Sequence, residues 1–176
     1  WAGAGAMKLA RWVHALTDIA LGFCFGGSIV AALAATSIFR VSREQAYDRG
    51  QANVLAGELF AWVGVPLLVA AGVVGLGCLF AGLHPPVQQL PGAFKRNLWR
   101  AMAALGVALA LAVGFMEAVS NRRMHELRRE GHWEQGKLVN AAEQSEFDGL
   151  HRRASAIYMF TIVSSALLLG ARRVAT

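Results

Sequence analysis

Four apolar runs, each nearly free of charge and long enough to cross a bilayer, constrain this 176-residue chain more than any other feature of it. A span needs about 20 apolar residues, at a rise of about 1.5 Å each, to cross a hydrocarbon core about 30 Å thick. The first run is free of charge from Ile19 to Phe39 and begins helically nearer Leu9, with Arg11, Trp12 and His14 at its entry and Arg40 at its exit. The second runs from near Val54 to Leu83, where His84-Pro85-Pro86 ends it because proline cannot donate to the helical ladder. The third extends from Leu98 to the neighbourhood of Val119. The fourth is uncharged from Ala154 to Ala171 and closes on Arg172-Arg173, a cation pair suited to a helix C-terminus at an interface. Ser145 with Asp148 three residues on resembles a capping pair and moves its start earlier. The expected spans are 9–39, 54–83, 98–119 and 150–172, within one membrane domain over 8–176 preceded by an N-terminal stub over 1–7.

Composition agrees with this. The chain is 56% hydrophobic and only 16% charged, against about a quarter charged in soluble domains. A net charge of +6 would point to nucleic acid in a soluble protein, but these cations sit at the ends of apolar runs, where they anchor helices to headgroups. A lipid bilayer is therefore the expected partner, and nucleic acid is not. Cys24 and Cys78 lie inside apolar runs and form neither a disulfide framework nor a zinc spacing. An even number of spans puts both termini on one side. Seven Lys and Arg fall on that side and ten on the other, while density per exposed residue favours the terminal side, so cytoplasmic termini in a bacterial inner membrane are expected.

Small residues recur at helical spacing, with Gly22 and Gly26 in the first span, and Gly106, Ala110 and Gly114 in the third. Such rows allow close helix approach, a main source of association in lipid, so these glycines are candidate packing positions. Pro66 should kink the second span. Between spans three and four, the segment from Ser120 to Arg153 mixes charges of both signs with Met124, Leu127, Leu138, Phe147 and Leu150. It reads as helical extensions interrupted near Gly131. The expected fold class is all-α: an integral membrane four-helix bundle with a helical cap formed by this loop.

Three stretches carry a family likeness. The run GGSIVAALAATSIFRVSREQA, Gly26 to Ala46, resembles the end of the first helix in the transmembrane protein 205-like family, where an LFR-like triplet precedes a short basic-acidic-small loop. Glu117 to Gly131 resembles that family's exit from helix three. Phe147, Leu150, His151 and Ser155 resemble its FxxLHxxS entry to helix four, with one residue more between His and Ser. The resemblance implies an integral four-helix membrane protein. It implies no activity, because the family has no agreed one.

Ionisable residues inside spans are costly and therefore site candidates. Asp18 and His14 share a helical face and form a polar intramembrane pair that could bind a metal, relay a proton or hold a solute; the structural alternative is an interfacial ion pair, with Arg11, His14 or Arg100 answering Asp18. Glu58, Glu117 and His151 should lie at one depth near the membrane face opposite the termini, a possible first shell for a divalent cation or an acid-base cluster. Arg122, Arg152 and Arg153 at that level could instead neutralise both carboxylates. No catalytic or nucleotide-binding motif is present. No catalytic residue and no cofactor are expected, although a divalent metal or a pigment ligated by one His stays compatible with the pattern.

The expected function is that of an accessory or scaffold subunit within a larger membrane complex of respiratory or photosynthetic type, not an enzyme, with other membrane subunits as partners. The alternative is handling of a small solute, a proton or a metal ion through the interfacial Glu/His cluster.

Overall fold

A computed structural model describes residues 2–45, 49–83, 93–134 and 136–175. Helix α1 spans Ala2–Glu44 and α2 spans Arg49–Leu83. A third, continuous helix comprises α3 (Ala93–Phe115), a π-helical turn (Met116–Asn121) and α4 (Arg122–Glu130). A short hairpin follows, β1 (Trp133–Glu134) and β2 (Lys137–Leu138), and then α5 (Ala141–Ala175). Four helices are long and apolar enough to cross a membrane. The molecule is an all-α membrane bundle, as its hydropathy pattern requires.

The helices form a ring in which α1 packs on α2, α2 on α3, α3 on α5 and α5 on α1. Leu21, Leu67, Val74, Leu109, Val113, Met116 and Leu168 fill its centre. Its outer faces stay apolar, with Trp62, Ile19, Leu76 and Leu111 exposed, since lipid is the solvent there. Two hydroxyls inside the bundle turn back on their own helices: Thr17 donates to the Val13 carbonyl at 2.6 Å and Thr161 to the Ile157 carbonyl at 2.8 Å. These local bonds satisfy polar groups that lipid would leave bare.

A tight seam lies between α2 and α3. A Cβ at Gly106 would stand 2.6 Å from Cys78 Cβ, and one at Gly75 would stand 2.8 Å from Ala110 Cβ. Here small residues do bring two backbones together. Gly114 has ordinary room, with Leu68 at 3.9 Å, and a Cβ at Gly22 or Gly26 would meet nothing within 4 Å. The close approach expected at those two positions is absent from this chain's own packing, because both glycines point out of the ring. Pro66 lies within α2, which continues through it.

Several boundaries differ from the expected ones, and three of the differences are informative. Helix α1 is already helical at Ala2, inside the expected stub. Helix α5 starts at Ala141, capped by Asn140 Oδ1 accepting from the Ala142 amide at 2.9 Å, so Asn140 does the work expected of Ser145. The loop after α4 is a hairpin and not simply a break: Gly131 turns extended, Trp133 pairs with Leu138, and Gly136 takes φ 77° in the turn. His84-Pro85-Pro86 lie outside the described residues.

Candidate binding cavity at the capped end

Two polar assemblies stand at opposite ends of the bundle. At the end bearing the termini, Arg172 of α5 reaches α1. Its Nε donates to Asp18 Oδ1 at 2.6 Å, and its Nη2 lies 3.1 Å from His14 Nδ1 and donates to the His14 carbonyl at 3.3 Å. Arg172 is buried, whereas the Asp18 side chain is 54% exposed. The His14 ring also packs against Trp99 of α3 at 6.2 Å. His14 and Asp18 both meet Arg172, so the cation that answers them comes from the far end of the sequence rather than from Arg11 or Arg100. Their contacts are those of a clasp joining α1 to α5.

At the other end, all four membrane helices and the hairpin line a partly open cavity of about 780 Å³, within the usual range of small-molecule sites. The hairpin forms its cap. Trp133 sets its ring edge-on to Phe147 at 5.4 Å, the Leu138 amide donates to Gln144 Oε1 at 2.8 Å, and Asn53 Nδ2 donates to the Gly136 carbonyl at 3.3 Å. The hairpin is thereby tied to both α2 and α5. From the Asp18–Arg172 clasp, Tyr158 is about 21 Å along α5 and His151 about 31 Å. In a core about 30 Å thick the cavity therefore opens at the far water boundary and reaches roughly 10 Å into the apolar layer.

The polar walls of the cavity come from three elements. Glu117 sits in the π-helical turn, where the widened helix re-aims side chains, a device that recurs at functional sites. Its Oε1 accepts from Asn121 Nδ2 at 2.7 Å, and its carboxylate lies over the bare backbone of α2, since a Cβ at Gly64 would stand 2.5 Å from Oε2. Arg128 of α4 does the same over Gly57, where a Cβ would stand 2.7 Å from Nη1. Its guanidinium also lies 5.3 Å from the centre of the Phe147 ring. Tyr158 of α5 is buried against Phe60 at 5.3 Å, and its hydroxyl has no hydrogen-bond partner among the described residues.

Of the three residues expected to form the Glu/His cluster, Glu117 and His151 line this cavity. His151 is exposed and lies parallel to the Phe147 ring at 6.5 Å. Glu58 is exposed and does not line it, though its charge bears on Arg128. Among the described residues no three His, Cys, Asp or Glu side chains are placed to hold a metal ion, so Glu58, Glu117 and His151 are not gathered as a ligand set. Glu58 fails to join because it projects from the outer side of α2. Arg128, Tyr158, Asn121 and Asn53 escaped the sequence reading. A usable signal was present in α2, where Gly57 and Gly64, seven residues apart, leave room on one helix face for long side chains from a neighbour. Comparison with protein-family models, with curated proteins and with solved structures returns no match to this chain.

Proposed function

We propose that this multi-pass membrane protein binds a small amphipathic or polar molecule in the cavity at its capped end, drawing it from the membrane–water boundary. One observation carries the reading: a cavity of about 780 Å³ receives a carboxylate, a guanidinium and a phenol from three different helical segments. Accessible volume of this size beside incompletely paired polar groups is what a ligand site requires. The handling of a solute through Glu117 and His151 survives in this form, with Arg128 and Tyr158 added and without the metal. The family-like motif around His151 also falls on the cavity wall, which supports the same reading. The test is to replace exposed Ala32, on that wall, by Trp. Wild-type protein purified from membranes should carry small-molecule adducts in native mass spectrometry, and Ala32→Trp should lose them while keeping its helical circular dichroism.

A second reading, the accessory subunit of a larger membrane assembly, is favoured by the open face at Gly22 and Gly26, where nothing of this chain stands within 4 Å of a Cβ position. Another membrane helix could approach closely there. Its mark would be a stoichiometric partner chain that leaves on Gly26→Leu. In both readings the termini face the cytoplasm of a bacterium, which reporter fusions at Thr176 would check.

A further inference from the structure

Resting on the binding reading above, we infer that the cavity selects a zwitterion, with its ammonium directed inward to Glu117 and its phosphate or carboxylate outward to Arg128. Gly57 and Gly64 act as the two marks of a ruler. They lie on one face of α2, two turns and about 10 Å apart along the axis. The guanidinium lies over the first and the carboxylate over the second. The two charges are therefore held apart at opposite ends of one cavity, well beyond ion-pair distance, and no ion pair joins either of them to another described residue.

Both groups keep bonding capacity to spare. Arg128 Nε is buried without a hydrogen-bond partner, and so is the Tyr158 hydroxyl. Glu117 accepts one bond, from Asn121, out of the roughly four a carboxylate can take. The other charged groups of the wall are differently placed: Arg122 faces Glu126 at 3.5 Å, Asp148 accepts from Gln144 at 2.9 Å, and Lys137 is exposed at the rim.

Charge in so poorly solvated a place is costly unless answered. A simple anion would answer Arg128 and be repelled by Glu117, and a simple cation would do the reverse. A zwitterion of the right length answers both. Allowing a charge-assisted contact of about 2.8 Å at each end, the ligand's own charges must be roughly 5 Å apart. Phosphoethanolamine has that dimension, whether free in water or as the headgroup of a phospholipid, and so has a short ω-amino acid. Phe60 and Tyr158 stand between the two ends and offer ring faces to an ammonium.

The experiment uses the full chain in a neutral detergent. Thermal stabilisation is measured with O-phosphoethanolamine, inorganic phosphate and ethylammonium, and native mass spectrometry measures retention of phosphatidylethanolamine against phosphatidylglycerol. The expected result is stabilisation by O-phosphoethanolamine at a concentration where neither half alone acts, or preferential retention of the ethanolamine lipid. The first identifies a free solute and the second a headgroup. Glu117→Gln and Arg128→Gln should each weaken the preferred ligand by at least roughly tenfold, one missing charged contact at each end. Binding of phosphate or phosphatidylglycerol as tightly as the zwitterion overturns the inference while leaving a binding cavity, as does equal binding of ethylammonium. No binding by any probe, together with adducts unchanged in Ala32→Trp, overturns the cavity's role as well. The comparison among probes on the wild-type chain decides the matter even where a variant fails to fold.

Discussion

Arg172 Nε stands 2.6 Å from Asp18 Oδ1, so the exit of the last helix is clasped to the entry of the first across 154 residues of chain. The clasp is asymmetric, with a buried cation and a half-exposed anion. Truncating Asp18 leaves the guanidinium buried without its carboxylate. Asp18→Asn should cost on the order of 2 kcal/mol, less than the about 3–5 kcal/mol of a fully buried pair, because Asp18 keeps access to the interface. The double variant Asp18→Asn with Arg172→Met should lose less than the two single losses added together. Detergent-solubilised thermal melts of all four proteins check this, and strict additivity would sink it.

Much of the fold was legible because lipid imposes a simple rule on the sequence: long uncharged runs must be helices. The ends of those runs were less legible. Asn140 and Ser145 both look like caps, and only the hairpin packed before Ala141 selects Asn140. Two strands of two residues carry no periodicity, so the hairpin was invisible. Asp18 and Glu117 were recognisable as costly groups, but not their partners: which face of α5 turns inward decides that Arg172 meets Asp18, and the π-helical turn decides where Glu117 points. Glu58 shows the converse, a carboxylate at the right depth on the wrong face.

Close approach distinguishes glycines that sequence spacing makes look alike. A Cβ at Gly106 would meet Cys78 Cβ at 2.6 Å and the Val74 carbonyl at 3.4 Å, neither of them a flexible tip. Gly106→Ala should force α2 and α3 apart and destabilise by about 1–3 kcal/mol. Gly22→Ala has open space and should be neutral or stabilising by up to about 1 kcal/mol through helix propensity. The unfolding curve of Gly106→Ala should fall below wild type, while that of Gly22→Ala stays with it or moves above. Equal destabilisation would mean that Gly22 packs on something outside this chain, which the accessory-subunit reading requires.

Gly136 carries the hairpin turn at φ 77°, a backbone region that costs side-chain-bearing residues about 1–2 kcal/mol. Because the hairpin hangs from Asn53, Gln144 and Phe147, the strain of Gly136→Val should be felt locally. Hydrogen exchange should rise over residues 132–139 with the four membrane helices unchanged, and ligand retention in the cavity should fall with it. Global destabilisation without that local signature would show that the hairpin is integral to the bundle and not a cap on it.

Cys24 and Cys78 are fully or almost fully buried inside the spans. A membrane-impermeant maleimide should therefore label neither in intact vesicles, from either side, and mass spectrometry should count two modified thiols only after denaturation in SDS. Labelling of native protein at Cys78 would place α2 and α3 farther apart than the Gly106 contact allows.

Phe147 and His151 separate a structural from a ligand-facing role at the cavity. Phe147 meets Trp133 edge-on at 5.4 Å and lies beneath the Arg128 guanidinium at 5.3 Å, so it joins hairpin, α4 and α5. Truncating it removes both contacts, and Phe147→Ala should cost about 1–3 kcal/mol. The His151 side chain is exposed, makes no hydrogen bond among the described residues, and touches only the face of Phe147 among their ring contacts. His151→Ala should stay within about 0.5 kcal/mol of wild type, as exposed positions do. Its effect should appear instead in the loss of the cavity's adducts, and the two readouts together are decisive: a lowered melting temperature with adducts intact would make His151 a strut of the cap, whereas an unchanged melt with adducts lost places it on the ligand.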